Sequence, residues 1–403
     1  MQLQTSVYEP VGDEKLRQDF VLGVKLLVNG RVQNVVREVC QQETAPAVKA
    51  LGREPSRAAL AVPLSQTLAF RQWAALTHSS QSMMWRAIEA TTQRVANAAA
   101  QRFAALPPAA QRAGSLELDP RLDIPHPIGD TEIHRQPVGY VSDGSPNDLT
   151  AGLRYLGSGQ IYSPGKGASG AGLDARGLQL AKLIKERFAG IKPKRILDLG
   201  CGMGMSTHGM AREFPGVEIH GVDVAPGLLR FGHLFAEEQG TPIHYKQRDA
   251  ATTGYPDGYF DLVVSSILFH ETNHDKLPAV LRECRRVLAS GGVMFHLDVA
   301  TQVAHQSVAD QIMNEWQVRW NGEPFWMGFA ETDMKKSIIA AGFDSTSAFA
   351  DYAGKPGGGQ RHIFGARGYG DSRLLAGPNR HANRAFERFE HDAGADVTNP
   401  GHA

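Results

Sequence analysis

Residues 195–207, RILDLGCGMGMST, are the part of the sequence whose residue types and spacing most clearly point to chemistry. An apolar run carrying one acid, Asp198, is followed by Gly200, Gly202 and Gly204 at alternate positions. Glycine adopts positive φ without strain and has no Cβ, so such a loop lets a ligand lie against bare backbone. The pattern therefore predicts a ligand-binding turn at the end of a β-strand.

Three ligands compete for this loop: a phosphate, a dinucleotide and S-adenosylmethionine. A phosphate loop is excluded, because no GK[ST] follows the glycines and no lysine is placed to meet a phosphate. A dinucleotide requires G-x-G-x-x-G, whereas the third residue after Gly202 is Met205. Asp223, at the end of the second strand, suits both remaining ligands, since both present ribose hydroxyls to a carboxylate. Asp223 alone therefore leaves the choice open.

The order of the other motifs decides the question. The third predicted strand ends with Asp249 in RDA, and the fourth begins with FDLVVSS. A helix, a Gly-Gly turn and the fifth strand follow in RVLASGGVMFHLDV. The last two strands come after AAGF. Over residues 172–367 this pattern resembles the class I S-adenosylmethionine-dependent methyltransferases. It is most similar to their small-molecule branch, typified by the ubiquinone/menaquinone and sterol methylases. The resemblance implies a Rossmann-like, doubly wound, mostly parallel seven-stranded sheet with S-adenosyl-L-methionine as cofactor.

The resemblance also implies a role for each motif residue. The three glycines would let the backbone approach the methionine half of the cofactor. Asp198 would bind its ammonium group, and Asp223 would accept hydrogen bonds from both ribose hydroxyls. Asp249 would accept from the adenine amino group, with Ala250 supplying a backbone N–H to the ring. The alternatives are an N-cap role for Asp223 and a turn role for Asp249.

The stretch SSILFHETNH leaves the fourth strand and supplies His270, Glu271 and His274 as candidate catalytic residues. A histidine titrates near neutral pH, so it is the natural base for an acceptor that carries a proton. The alternative is that His270 packs against the next helix and that Glu271 is a first-turn acid favoured by the helix dipole. His296, within the fifth strand, is a candidate for contact with the substrate.

An aromatic-rich insertion, NEWQVRWNGEPFWMGFAETD, follows the fifth strand, where such enzymes place their substrate cover. It predicts an apolar, aromatic-lined substrate pocket formed by Trp316, Trp320, Phe325 and Trp326. Cation–π contact with a sulfonium or an amine is a further candidate role. The alternative is that these rings join the α/β domain to helices near the N-terminus.

The rest of the chain shows three changes of character. Apolar residues spaced by three and four predict a helical N-terminal domain, and prolines with little periodicity predict a linker after it. The linker ends in RYLGSGQIYSPGKGASGAG, a candidate lid whose Tyr155 or Tyr162 would close on the ligand, or else a flexible hinge. The last residues are polar, with one short helix near 382–390. The predicted divisions are 1–106 (helical), 107–171 (linker and lid), 172–367 (cofactor-binding domain) and 368–403 (tail).

Composition limits location and partners. Lys plus Arg (42) balances Asp plus Glu (42), so there is no electrostatic case for a nucleic-acid partner. The three cysteines match no metal-binding spacing, and no metal site is expected. A sparse, odd cysteine count favours a reducing compartment, and no signal or membrane-spanning pattern is evident, so we expect a cytoplasmic protein. The N-terminal helices are a candidate homodimer surface, although their pattern does not demand one.

These observations together predict a methyltransferase that acts by in-line displacement on an apolar or aromatic small-molecule acceptor. Two alternatives stay open. The same fold and cofactor can serve elimination, decarboxylation or dehalogenation, because a fold does not decide a function. A non-catalytic cofactor-binding subunit is the other, although the intact Asp198, Asp223 and Asp249 count against it.

Overall fold

The computed structural model describes residues 7–126, 128–141, 144–165, 172–355 and 358–368. Within these residues one eight-stranded sheet has the order β1-β4-β3-β2-β5-β6-β8-β7. The six strands from β1 to β6 pair in parallel, and β8 lies antiparallel to both β6 and β7. The strands are β1 Ser115–Glu117, β2 Arg195–Leu199, β3 Glu218–Asp223, β4 Ile243–Gln247, β5 Phe260–Ser266, β6 Leu288–Val299, β7 Phe349–Lys355 and β8 Gly358–Arg367.

Twelve α-helices lie within the described residues. A short π-helical stretch, Val28–Val32, connects the first two. The α-helices are α1 Asp13–Leu27, α2 Gln33–Leu51, α3 Arg57–Gln66, α4 Leu68–Ala104, α5 Thr150–Gly165, α6 Ala175–Arg187, α7 Met205–Glu213, α8 Pro226–Glu238, α9 Leu277–Val287, α10 Val308–Trp320, α11 Trp326–Ala330 and α12 Met334–Ala340. None of the described helices is both long and apolar enough to cross a bilayer.

The predicted Rossmann-like, doubly wound and mostly parallel fold is confirmed, but the sheet has eight strands rather than seven. The additional strand, β1, lies in the segment predicted as a linker and pairs with β4 at the edge of the sheet. Three residues are too few to show a period of two, so only backbone pairing defines this strand. The chain runs from β2 to β3 and β4 on one side and then returns to β5 on the other. Ligands of such sheets bind at that reversal, between β2 and β5.

Helix α5 corrects the prediction of a glycine-rich loop between residues 154 and 172. Two glycines lie where the helix packs closely on its neighbours. A Cβ on Gly152 would lie 2.2 Å from Cβ of Phe231, and one on Gly157 would lie 2.4 Å from Cζ of Tyr8. The glycines therefore permit close helix packing, which outweighs their low helix propensity. Residues 166–171 of the predicted lid and the predicted helix near 382–390 lie outside the described residues.

Helix α8 is enclosed on all sides, since every residue from Pro226 to Ala236 is buried. One side of the helix contributes Leu229 and Ala236 to the core between the helices and the sheet. The other contributes Phe231, Leu234 and Phe235 to a cluster with residues of α1, α4 and α5. A helix that is buried on every face needs other elements packed against each of those faces. The N-terminal helices supply that cover.

Candidate active site

The glycine loop turns as expected at the carboxyl end of β2. Its three glycines all have positive φ, between 54° and 80°. A Cβ on Gly200 would lie 2.5 Å from Leu268, and one on Gly204 would lie 2.0 Å from the Tyr245 hydroxyl. At Gly202 the nearest atom to such a Cβ is Leu228 Cδ1, at 4.0 Å. The chain's own side chains thus fill the space beside the outer two glycines, and the open backbone for a ligand is at Gly202.

Asp198 is a buried carboxylate with one unsatisfied oxygen. It is 1% exposed, and its Oδ2 accepts a hydrogen bond of 2.6 Å from the Thr207 hydroxyl. Its Oδ1 is buried and has no hydrogen-bond partner among the described residues. Burial raises the pKa of Asp198 to about 7, and the nearby Asp223 adds to the effect. An unsatisfied buried carboxylate oxygen is costly, so this one suits a cationic donor such as the ammonium group of an amino-acid ligand.

Two further candidate acids lie at the ends of β3 and β4. Asp223 is the last residue of β3, and Asp249 comes shortly after the end of β4. The two carboxylate oxygens of Asp223 accept from the backbone N–H of Gly202 at 2.8 Å and of Ala225 at 2.9 Å. Burial raises the pKa of this carboxyl. Each oxygen has a second lone pair, so the group still has capacity for ribose hydroxyls. Asp249 holds its own turn by accepting from Ala251 N at 2.8 Å, and Ala250 lies within that turn.

We expect cofactor affinity to depend on the ionisation of Asp198. Because its pKa is raised to about 7, the carboxyl is largely protonated below that pH and cannot pair with an ammonium group. Affinity for S-adenosylhomocysteine should therefore fall about tenfold for each pH unit below 7. Calorimetric titration between pH 5.5 and 8.5 measures this profile. The same acid-side slope in Asp198→Asn would assign it to another group.

His270 lies at the exit of β5, as predicted, but it is buried and held by an acid. It is 2% exposed, and its Nδ1 lies 2.6 Å from Asp298 Oδ1. Burial alone would lower its pKa, but the Asp298 carboxylate outweighs this and raises the pKa to about 10. The Asp298 carboxylate thus orients the ring and favours its protonated form, and the catalytic role of His270 stays a prediction.

Glu271 contacts a residue that the sequence analysis did not select, His134. Glu271 Oε1 lies 2.7 Å from His134 Nε2 and 3.4 Å from His270 Nε2. His134 Nδ1 lies 2.9 Å from Glu323 Oε1. Burial opposes the charged imidazole, but the carboxylates of Glu323 and Glu271 raise the pKa of His134 well above its usual value. Despite its burial, the pKa of Glu271 is lowered by the two histidines. The contact therefore favours an ionised Glu271 and a protonated His134.

Two tyrosine rings lie beside His134, and a third tyrosine lies beside one of them. The Tyr140 and Tyr162 rings lie 6.1 Å and 5.6 Å from the imidazole, and Tyr155 lies 6.2 Å from Tyr140. Tyr140 and Tyr155 also pack against Ala225 and Leu228, just after Asp223. The sequence-predicted Tyr162 thus belongs to a group that connects His134 with the candidate cofactor site.

The predicted aromatic pocket is divided in two. Trp326 lies 5.4 Å from the His270 ring, edge to face, and Phe325 is buried just before it. Trp316 and Trp320 stack on each other at 5.5 Å and pack with the N-terminal helices, as in the alternative predicted above. They line a separate open groove of about 490 Å³ beside Phe70 and His78. Trp316 and Trp320 thus pack as the alternative prediction expects, whereas Trp326 contacts the His270 ring.

Two predicted residues are not brought to this site. His296 is fully buried, its Nδ1 is 2.8 Å from the Ser265 hydroxyl, and burial lowers its pKa to about 3. It packs between Phe269 and Phe364 in the core and cannot reach a substrate. His274 has a side chain that is 62% exposed and pairs with Asp275 at the surface.

One cluster of the described residues has ligand types that could hold a metal ion: His134, Glu271 and Glu323. The two glutamates approach different ring nitrogens of His134, Nε2 and Nδ1. The two carboxylates thus lie on opposite sides of the imidazole ring of His134.

Comparisons with known proteins agree with the fold and the glycine loop. Residues 196–292 match a family model described as a methyltransferase domain. A demethylmenaquinone methyltransferase of Thermus thermophilus is 38% identical over 106 residues, 26% of this chain and 47% of that protein. A ubiquinone biosynthesis O-methyltransferase of Cereibacter sphaeroides is 33% identical over 154 residues, 37% of this chain and 60% of that protein. The chain thus spans about half the length of these relatives.

Among solved structures, phosphoethanolamine N-methyltransferase 2 of Haemonchus contortus aligns with a TM-score of 0.38 and 15% identity, over 48% of this chain and 53% of that one. The α/β part of the present chain is therefore similar to the class I S-adenosylmethionine-dependent methyltransferase domains. The matched residues contain the glycine loop, Asp198, Asp223 and Asp249. The predicted resemblance to the ubiquinone and menaquinone methylases is confirmed, and S-adenosylmethionine is the cofactor of this class.

Proposed function

We propose that this protein transfers a methyl group from S-adenosylmethionine to an apolar or aromatic small molecule. One observation carries the proposal: Asp198, Asp223 and Asp249 follow one another across adjacent strand ends, around the open backbone at Gly202. The unsatisfied Oδ1 of Asp198 supports an ammonium partner. The relatives named above methylate quinone precursors according to their names, which fits an acceptor of this kind.

The chain's own residues would hold the cofactor as follows. Asp198 accepts from the ammonium group, Asp223 from the ribose hydroxyls, and the backbone at Gly202 faces the methionine half. Asp249 and Ala250 are placed for the adenine ring. Bound there, the cofactor would supply a methyl group activated by its sulfonium. The protein then needs mainly to hold the acceptor in line with that methyl group at near-attack distance.

The acceptor side would be formed by Trp326 and the tyrosines around His134, which give an aromatic lining. Glu271 and His270 hold the exit of β5 in place through Asp298 and His134. The three cysteines are buried free thiols, which supports the reducing, cytoplasmic location predicted from the sequence. The homodimer and the lack of a nucleic-acid partner remain predictions.

The first test is to denature freshly purified protein and identify the small molecules that accompany it by mass spectrometry. S-adenosylmethionine or S-adenosylhomocysteine is the expected finding, and a methylated companion molecule would indicate the acceptor. NAD in their place would overturn the proposal. If the extract is empty, titration with S-adenosylhomocysteine decides, and a protein that does not bind it would contradict the proposal.

A further inference from the structure

Backbone strain is concentrated in two segments that meet at one contact. Among the described residues, the non-glycine residues with positive φ are His134, Arg135, Val138 and Ile267. Three belong to the segment carrying His134, and Ile267 lies four residues before Glu271, which contacts His134. Positive φ is costly for a β-branched residue, and such strain persists where surrounding structure enforces it, often at ligand sites. The two segments with unfavourable backbone conformations are therefore joined by the His134–Glu271 contact.

The same contact lies within a chain of five ionisable side chains. In order they are Asp298, His270, Glu271, His134 and Glu323, with neighbouring atoms between 2.6 and 3.4 Å apart. Three carboxylates thus alternate with two imidazoles. Asn321 donates a further hydrogen bond of 2.9 Å to Glu323 Oε1.

The two glutamates each keep one oxygen unsatisfied. Glu271 Oε2 and Glu323 Oε2 are buried, and neither accepts a hydrogen bond from any residue that the structure describes. Glu323 is only 1% exposed. The free-energy penalty of leaving a buried carboxylate oxygen without a donor exceeds the net stabilisation that a typical hydrogen bond provides. Two such oxygens on either side of one imidazole therefore suit a ligand that brings N–H donors and positive charge.

The surrounding rings favour the same kind of ligand. Tyr140 donates to Glu271 Oε1 at 3.4 Å, and the Tyr162 hydroxyl accepts from Asn321 at 3.2 Å. The Tyr162 ring already has one ammonium group near it, that of Lys25, 5.3 Å from its centre. Lys25 also donates to Gln81 at 2.7 Å. Tyrosine rings attract cations through their faces, so this group of rings stabilises positive charge beside the carboxylates.

We propose that Glu271 and Glu323, with Tyr140 and Tyr162, form a cation-recognition subsite of the acceptor pocket, and that the methyl acceptor is an amine. This inference rests on the proposed function, because it identifies the substrate class of that same site. The amine group is recognised as an ammonium by the carboxylates. Tyr140 and Tyr155 place the subsite next to Ala225 and Leu228, and so beside the candidate cofactor site.

The test compares amines with neutral molecules of the same shape. The protein is dialysed against a chelator and titrated calorimetrically with tryptamine and tryptophol, and with benzylamine and benzyl alcohol, both with and without S-adenosylhomocysteine. We expect each amine to bind about tenfold or more tightly than its alcohol, as charge-assisted hydrogen bonds predict. Glu323→Gln should remove most of this preference and leave affinity for S-adenosylhomocysteine unchanged.

Glu315→Gln is the matched control, because that glutamate lies on α10 with a side chain that is 48% exposed. It should keep the preference for amines. Equal affinities for amines and alcohols, including no binding of either, would overturn the inference. If the protein binds one equivalent of zinc and Glu323→Gln abolishes that binding, the cluster is a metal site and the amine inference is wrong. Failure to bind S-adenosylhomocysteine would instead contradict the proposed function, so the two failures are distinct.

Discussion

Asp223→Ala should lower affinity for S-adenosylhomocysteine by about a hundredfold or more, because we propose this carboxylate as the acceptor for both ribose hydroxyls. Hydrogen bonds to a charged acceptor contribute about 1.5–3 kcal/mol each, and the alanine removes both. The same change also frees the backbone N–H groups of Gly202 and Ala225, which loosens the loop that faces the cofactor. Methyl transfer should disappear together with binding.

Calorimetric titration measures this loss, and circular dichroism checks that the variant is folded. Asp257→Ala is the control, because the side chain of Asp257 is 82% exposed and pairs only with Arg286 among the described residues. It should bind S-adenosylhomocysteine as the unchanged protein does. If a folded Asp223→Ala variant keeps its affinity, the cofactor does not lie at the end of β3, and the assignment of this site is wrong.

Gly204→Ala should produce the largest loss of stability among substitutions in the glycine loop. The new Cβ would lie 2.0 Å from the Tyr245 hydroxyl, and the residue has a φ of 80°. Left-handed backbone costs an alanine roughly 1–2 kcal/mol, and overpacking a filled core adds about 1–3 kcal/mol. We therefore expect the free energy of unfolding to fall by about 3 kcal/mol, measured by urea-induced unfolding.

Gly216 provides a control that isolates the contribution of φ. Its φ is 77°, almost the same, but a Cβ there would meet nothing within 4 Å. Gly216→Ala should therefore cost only about 1 kcal/mol. Adding Tyr245→Phe to Gly204→Ala removes the clashing hydroxyl and should restore part of the stability. Equal losses in Gly204→Ala and Gly216→Ala would show that the contact with Tyr245 is unimportant.

The cofactor side of the site could be predicted because its signal is local in sequence. Each acid lies at a strand end, and parallel strands bring their carboxyl ends to one edge, so Asp198, Asp223 and Asp249 had to come together. The reason for the glycines was only partly predictable. At Gly200 and Gly204 the space is filled by Leu268 and Tyr245, which lie far along the chain.

The acceptor side could not be predicted in the same way. His134 and His126 occupy the same proline-rich segment, yet the side chain of His126 is 84% exposed whereas that of His134 is 17% exposed. Nothing in the residues around them separates the two, because the two glutamates that contact the His134 imidazole lie more than a hundred residues away. Glu323 was within the aromatic insertion, but its role depends on how that insertion meets His134.

His270 shows what the local sequence can and cannot predict. The sequence predicted its position at the end of β5, and the structure places it there. Its partner Asp298 comes from the neighbouring strand β6. This carboxylate raises the pKa of the imidazole, and only the pairing of the two strands reveals the contact.

The edge strand β1 ties the N-terminal part of the chain to the catalytic sheet. It covers β4 on one edge, while α4 and α5 cover the apolar side of α8. A shortened protein beginning at residue 172 would therefore expose an unpaired strand edge together with Phe231 and Phe235. Such edges recruit other chains, and large apolar patches aggregate. We therefore expect that a fragment beginning at residue 172 would not behave as an independent, excisable unit.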